Sequence, residues 1–267
     1  MYVYFSAELP QSREENKMDP LELIIDYHID NERQGPGSEE ATIKALGYIS
    51  NLNENTKILD IGCGTGGQTI TLARNTEAKI TAVDILPQFL EKLKHTVSEY
   101  DLTVRVETKE MLMDKLVFDI NFFDVIWSEG AIYNIGFEKG LCLWRKYLKE
   151  NGYIAISEIT WLTCTRPEEI ERYWVDQYPE IDTTENKLSV IKKCGYDPVA
   201  HFSLDDKCWT DNYYKPLMDK AEAFLEKYDH SEEAKAIIEE YKIESRMYDR
   251  FKEHYSYVFY IAKKHTF

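Results

Sequence analysis

The chain has 267 residues, enough for one full core, and its 43% hydrophobic and 30% charged residues are those of a water-soluble globular protein. A formal net charge of −16 argues against nucleic acid, which needs a dense positive face, and no run of lysine and arginine supplies one locally. No stretch approaches the roughly 20 apolar residues that span a bilayer, so the expectation is a cytoplasmic protein without a membrane partner.

Residues 1–17 show no pattern and read as a leader, disordered or loosely attached, ahead of a domain spanning 18–267. The apolar start Tyr2–Phe5 has no basic region before it, so it is not a secretory signal. Asp19-Pro20 then supplies an N-cap and a proline at the first helical position. Leu21, Ile24, Ile25 and His28 follow at helical spacing, with His28 expected at the edge of the apolar face. The turn segment Glu32-Arg33-Gln34-Gly35-Pro36-Gly37-Ser38 precedes a second helix whose buried face would be Ile43, Leu46 and Ile49. Its Gly-Pro-Gly is either a tight corner or the means by which Arg33 and Gln34 reach over a ligand.

The stretch Lys57-Ile-Leu-Asp-Ile-Gly-Cys-Gly-Thr-Gly-Gly67 reads as a buried strand that ends in a glycine-rich turn and opens into a helix. Glycines there let the chain turn through positive φ and approach a ligand closely. Gly62, Gly64 and Gly67 fit a dinucleotide-binding pattern, and Gly62, Gly64 and Gly66 fit a second cofactor class equally well. Asp84 ends the next strand, about 20 residues on, where an acid would hold a ribose diol in either class. Asp60 separates them: a carboxylate two residues before the first glycine would repel a pyrophosphate but can accept from an ammonium group.

Strands and helices continue to alternate, with strands at 103–107, 122–127, 153–157 and 198–204, and helices at 137–149, stopped by Asn151-Gly152, and 185–194. This pattern calls for an α/β fold with a doubly wound, mainly parallel sheet. The last strand is 255–262. Two insertions, at about 161–182 and 205–254, are rich in aromatics or helical, and read as a helical cap. The five cysteines lie far apart without metal spacing and read as reduced, mostly buried thiols; no metal site is expected.

The run Leu59-Asp-Ile-Gly-Cys-Gly-Thr-Gly66 resembles the first motif of class I S-adenosylmethionine-dependent methyltransferases, and strand 255–262 resembles the antiparallel seventh strand of their Rossmann-like sheet. The runs Trp127–Glu138 and Glu32–Ser38 resemble a group of uncharacterised bacterial members with small-molecule acceptors. The resemblance implies S-adenosylmethionine as cofactor, held by Asp60, Gly62, Cys63, Gly64, Thr65, Gly66, Gln68, Asp84 and Ile85. Leu112 and Met113 would meet the adenine, with Asp114 the one acid near its amino group; Arg33 would reach over the cofactor. Glu129, directly after the fourth strand, would bind the cofactor, orient the acceptor, or take its proton. The implied reaction is methyl transfer to a small molecule; the rivals are an NAD-dependent oxidoreductase and a cofactor-binding protein without transferase activity.

Overall fold

The computed structural model describes residues 19–265; the expected leader lies outside them. After Asp19, whose carboxylate accepts from the Leu21 N–H, come α1 (Pro20–His28) and α2 (Glu39–Leu46). Ser38 caps α2 through the Ala41 N–H. The face of α2 differs from expectation: Ala41, Thr42, Ala45 and Leu46 are buried, whereas Ile43 is 40% exposed. His28 is fully buried rather than at an edge, with its ring 2.7 Å from the hydroxyl of Tyr241.

The alternating core then runs β1 (Lys57–Ile61), α3 (Gly67–Asn75), β2 (Lys79–Asp84), α4 (Pro87–Glu99), β3 (Val106–Glu110), β4 (Phe123–Glu129), α5 (Phe137–Trp144) and β5 (Leu148–Trp161). It closes with α6 (Glu168–Gln177), a two-residue β6 (Asp182–Thr183), α7 (Thr184–Lys193), β7 (Tyr196–Ser203) and β8 (Tyr255–Lys264). The main sheet has the order β3-β2-β1-β4-β5-β8-β7, with β6 paired to β5. Strand β8 is antiparallel to both neighbours, and every other pairing is parallel. The expected seven-stranded doubly wound sheet is therefore present, with one short addition.

Several boundaries fall elsewhere than the sequence suggested, and β5 extends well beyond the expected 153–157 at both ends. Strand β3 starts at Val106 because Leu102 to Arg105 form a turn, the Arg105 and Val106 N–H groups both donating to the Leu102 carbonyl. Asn151-Gly152 does not stop a helix: α5 ends at Trp144, and β5 already runs from Leu148. Asn151 takes φ +63 inside that strand, where the pairing to β4 slips.

Each face of the sheet carries its own core. Ile58 of β1 packs on one face, Leu59 and Ile61 on the other, as a strand covered on both sides requires. The insertion between β7 and β8 contains α8 (Asp206–Trp209), a π-helical turn (Thr210–Tyr214), α9 (Lys215–Asp219), α10 (Ala221–Lys227) and α11 (Glu232–Phe251). Its aromatics are packing groups: Trp209 stacks on Tyr248 at 4.4 Å and donates to the Ser256 hydroxyl. The insertion also grips the N-terminal segment. Gly37 N–H donates to the Cys208 carbonyl, and Asn212 donates to the Gly37 carbonyl at 2.9 Å. Cys142 on α5 and Cys194 after α7 are joined as a disulfide, against the expectation of reduced thiols throughout. The packing of two helices brings them together across 52 residues, which spacing in the sequence does not reveal.

Candidate functional site

A cavity of about 340 Å³ opens at the carboxyl ends of β1, β2, β3 and β4. This is where a doubly wound sheet places its ligands. Four loops and the N-terminal segment form its walls. The glycine turn after β1 contributes Gly62, Cys63 and Gly64, and the end of β2 contributes Asp84, Ile85 and Leu86. Met111 to Asp114 line it after β3, and Glu129 to Ala131 at the end of β4.

The glycine turn is pinned from two sides. Gly62 and Cys63 both donate to the Val83 carbonyl, and Gly64 donates to Asp84 Oδ2 at 2.9 Å. The other oxygen of Asp84 accepts from Leu86 N–H at 3.0 Å. Burial pushes the Asp84 carboxyl up, and the backbone donors partly offset this. On the far side Gln34 clamps the turn, its Oε1 accepting from Thr65 N–H at 2.9 Å and its Nε2 donating to the Thr65 hydroxyl at 2.8 Å. Gly64 sits at φ +54, and a Cβ there would stand 2.1 Å from Gln34 Oε1. Glycine is required by conformation and by contact alike. Thr65 and Gly66 do not line the cavity: Thr65 faces the Asn31 carbonyl at 2.9 Å, and Gly66 packs over Leu93 of α4.

Asp60 also stands behind the wall. It is fully buried, accepts from Thr69 at 2.5 Å and from Gln68 Nε2 at 3.3 Å, and Gln68 is the residue that lines the cavity. Burial raises the Asp60 pKa to about 7; the Thr69 bond opposes this and the nearby Glu129 charge adds to it.

Arg33 and Glu129 close the opposite wall. Arg33 Nη1 donates to Glu129 Oε2 at 2.7 Å, with each side chain only 6% exposed. Glu129 Oε1 accepts from the Thr42 hydroxyl at 2.7 Å and from Trp127 Nε1 at 2.8 Å. Arg33 Nη2 donates to the same Thr42 hydroxyl at 3.1 Å. Three donors therefore occupy both oxygens of Glu129.

Residues 58–152, which run from β1 into β5, match the family model described as "Methyltransferase domain". The chain contains a class I S-adenosylmethionine-dependent methyltransferase domain. This methyltransferase is 27% identical over 217 residues to the phosphoethanolamine N-methyltransferase of Plasmodium falciparum (isolate 3D7), covering 77% of this chain and 74% of that one. It is 25% identical to the sterol 24-C-methyltransferase of Candida albicans over 72% of this chain, and spans about half the length of that relative (51%). A solved structure of an S-adenosylmethionine-dependent methyltransferase from Geobacter sulfurreducens, in complex with S-adenosyl-L-homocysteine, has the same fold, with a TM-score of 0.79 at 20% identity. That match covers 90% of this chain and 97% of the other.

Of the residues expected at the methyltransferase site, Arg33, Gly62, Cys63, Gly64, Gln68, Asp84, Ile85, Leu112, Met113 and Glu129 come together around the cavity. Leu112 is 41% exposed and is therefore a cavity wall rather than part of the core. Sequence reasoning missed Leu21 and Ile24 of α1 as cavity walls, and Thr42 as the hinge between Arg33 and Glu129. Helical periodicity assigned the α1 pair to core, and no local signal marked Thr42. Tyr133, Asn134 and Ile135 also line the cavity, but no residue of 161–182 or 205–254 does.

Proposed function

We propose that this chain transfers a methyl group to a small-molecule acceptor held between the glycine turn, the Arg33–Glu129 wall and the Tyr133–Ile135 turn. The observation that carries this reading is the convergence of Asp84, the glycine turn and the Met111–Met113 loop on one cavity in a methyltransferase domain. S-adenosylmethionine supplies an electrophilic methyl on a sulfonium and fits this lining in kind. The acid ending β2 suits its ribose diol, the half-exposed Leu112 and Met113 suit a flat base, and the Cβ-free turn suits close approach by its methionyl part. Asp60 orients Gln68 toward that part from behind.

The residues contribute alignment and exclusion of water. Alignment alone is worth effective molarities of roughly 10⁵ M or more in a displacement of this kind. Glu129 is a positioning residue in this reading. Arg33, Thr42 and Trp127 take three of the roughly four acceptor sites of its carboxylate and hold it in place. The relatives act on phosphoethanolamine and on a sterol, so small acceptors of very different polarity fall within reach of the fold. Among the described residues no helix is long and apolar enough to cross a membrane. The absence of a nucleic-acid partner belongs to this proposal, supported by the net charge of −16; the expected cytoplasmic location is not part of it, because the Cys142–Cys194 disulfide fits an oxidising compartment.

Calorimetric titration with S-adenosylhomocysteine and with NAD tests the cofactor, and transfer of labelled methyl to an amine, hydroxyl and thiol panel tests the reaction. Binding of NAD instead would overturn the cofactor assignment and favour the oxidoreductase. Binding of S-adenosylhomocysteine with no turnover on any acceptor would leave a cofactor-binding protein.

A further inference from the structure

Four charged side chains line the cavity among the described residues: Arg33, Asp84, Asp114 and Glu129. Three are acids. The one cation is held by an acid: Arg33 donates from Nη1 to Glu129 and from Nη2 to Thr42 and is 7% exposed, and only its buried Nε has no hydrogen-bond partner. Asp84 accepts two backbone N–H groups, and Asp114 stands at the rim with Lys139 3.6 Å away. Lys187, near the Tyr133 side, is no substitute: it is buried, does not line the cavity, and is paired with Glu158 at 3.1 Å. Of the uncharged lining, Leu21, Ile24, Pro36 and Ile135 are apolar, while Gln34, Gln68, Tyr133 and Asn134 are polar but carry no charge.

An anionic head group entering this space would lose its water and find, among the described residues, no lining cation free of a carboxylate partner to replace it, which is the costly way to bury a charge. The chain's net charge of −16 also slows the approach of anions. We propose that the acceptor-side wall selects uncharged or cationic nucleophiles and rejects phosphate- and carboxylate-bearing ones, because Glu129 neutralises the lining cation. The proposal rests on the methyltransferase reading above. It separates this chain from the phosphoethanolamine N-methyltransferase it resembles.

The test uses the full chain loaded with S-adenosylhomocysteine and titrated with inorganic phosphate, beside a turnover assay with phosphoethanolamine. The wild type should bind phosphate no tighter than several millimolar and leave phosphoethanolamine unmethylated. Glu129→Gln frees the guanidinium and should tighten phosphate binding by roughly tenfold or more, since arginine is a preferred phosphate donor. Submillimolar phosphate binding by the wild type, or methylation of phosphoethanolamine, overturns the proposal. A folded Glu129→Gln variant with no gain overturns the assignment to the Arg33–Glu129 pair. If that variant does not fold, the two wild-type measurements decide alone. Failure to bind S-adenosylhomocysteine is a separate result that sinks the cofactor reading, and titration of the unloaded wild type still answers the anion question.

Discussion

Arg33 and Glu129 are 96 residues apart in the chain and meet at 2.7 Å, with both side chains nearly sealed from solvent. The pair ties the segment between α1 and α2 to the end of β4, and Thr42 bonds to both members.

Removing one partner of such a pair leaves a buried charge without compensation. Arg33→Met should cost about 3–5 kcal/mol of stability. Glu129→Gln keeps an acceptor for Thr42 and Trp127 but leaves the buried Arg33 charge unpaired, and should also cost about 3–5 kcal/mol. The double variant should be less damaged than the sum by at least ~1 kcal/mol. Urea denaturation of the four proteins measures this, and strict additivity would show that the contact carries no coupling.

Asp84 ends β2 with its carboxylate beside Gly64 and Leu86. If it holds the ribose diol, Asp84→Ala should weaken S-adenosylhomocysteine binding by about 1.5–3 kcal/mol, the usual worth of hydrogen bonds to a charged group. An unchanged dissociation constant in a folded variant would remove Asp84 from the cofactor site.

The Asp60 carboxyl, fully buried, has its pKa raised from 3.8 to about 7. The folded state therefore holds a proton that the unfolded chain has released between these values. Stability from this group is present below about pH 4, falls as pH rises toward 7, and is flat above it. The amplitude is of order 4 kcal/mol. Asp60→Asn should lose this part of the pH dependence while keeping an acceptor for Thr69. Asp84 and Glu158 are shifted in the same direction by burial, so the comparison of wild type with variant is the informative one. Parallel stability curves from pH 4 to 8 would contradict it.

The cavity is walled by α1 and the 33–36 segment, not by the insertions at 161–182 and 205–254. Hydrogen exchange with and without S-adenosylhomocysteine should show new protection in 21–36, 62–68, 84–89 and 111–114. Protection appearing first in α6 or α11 would return the lid role to the insertions, as the sequence suggested. Exchange slows where opening is suppressed, so the pattern reports which segment closes.

How much of this was legible in advance follows the range of the forces involved. The glycine turn was legible because positive φ at Gly62, Gly64 and Gly66 is a requirement of the local backbone, and glycine meets it cheaply. Alternation of strand and helix gave the doubly wound sheet, since periods of 2 and 3.6 are local and the parallel crossovers follow from them. Asp84 and Glu129 were placed correctly at strand ends for the same reason.

Which distant groups those ends meet depends on how the whole chain packs. The backbone does not encode in any nearby residue that Arg33 pairs with Glu129, that Gln34 lies against Gly64, or that Cys142 joins Cys194. The same holds for Asp60, whose position in the motif suggested a ligand contact but whose side chain points to Thr69 and Gln68. Local conformational energy sets the framework of strands, helices and the glycine turn. The charge balance of the cavity wall comes from side-chain partners chosen by packing, across separations of 96 and 31 residues for the Arg33–Glu129 and Gln34–Thr65 contacts.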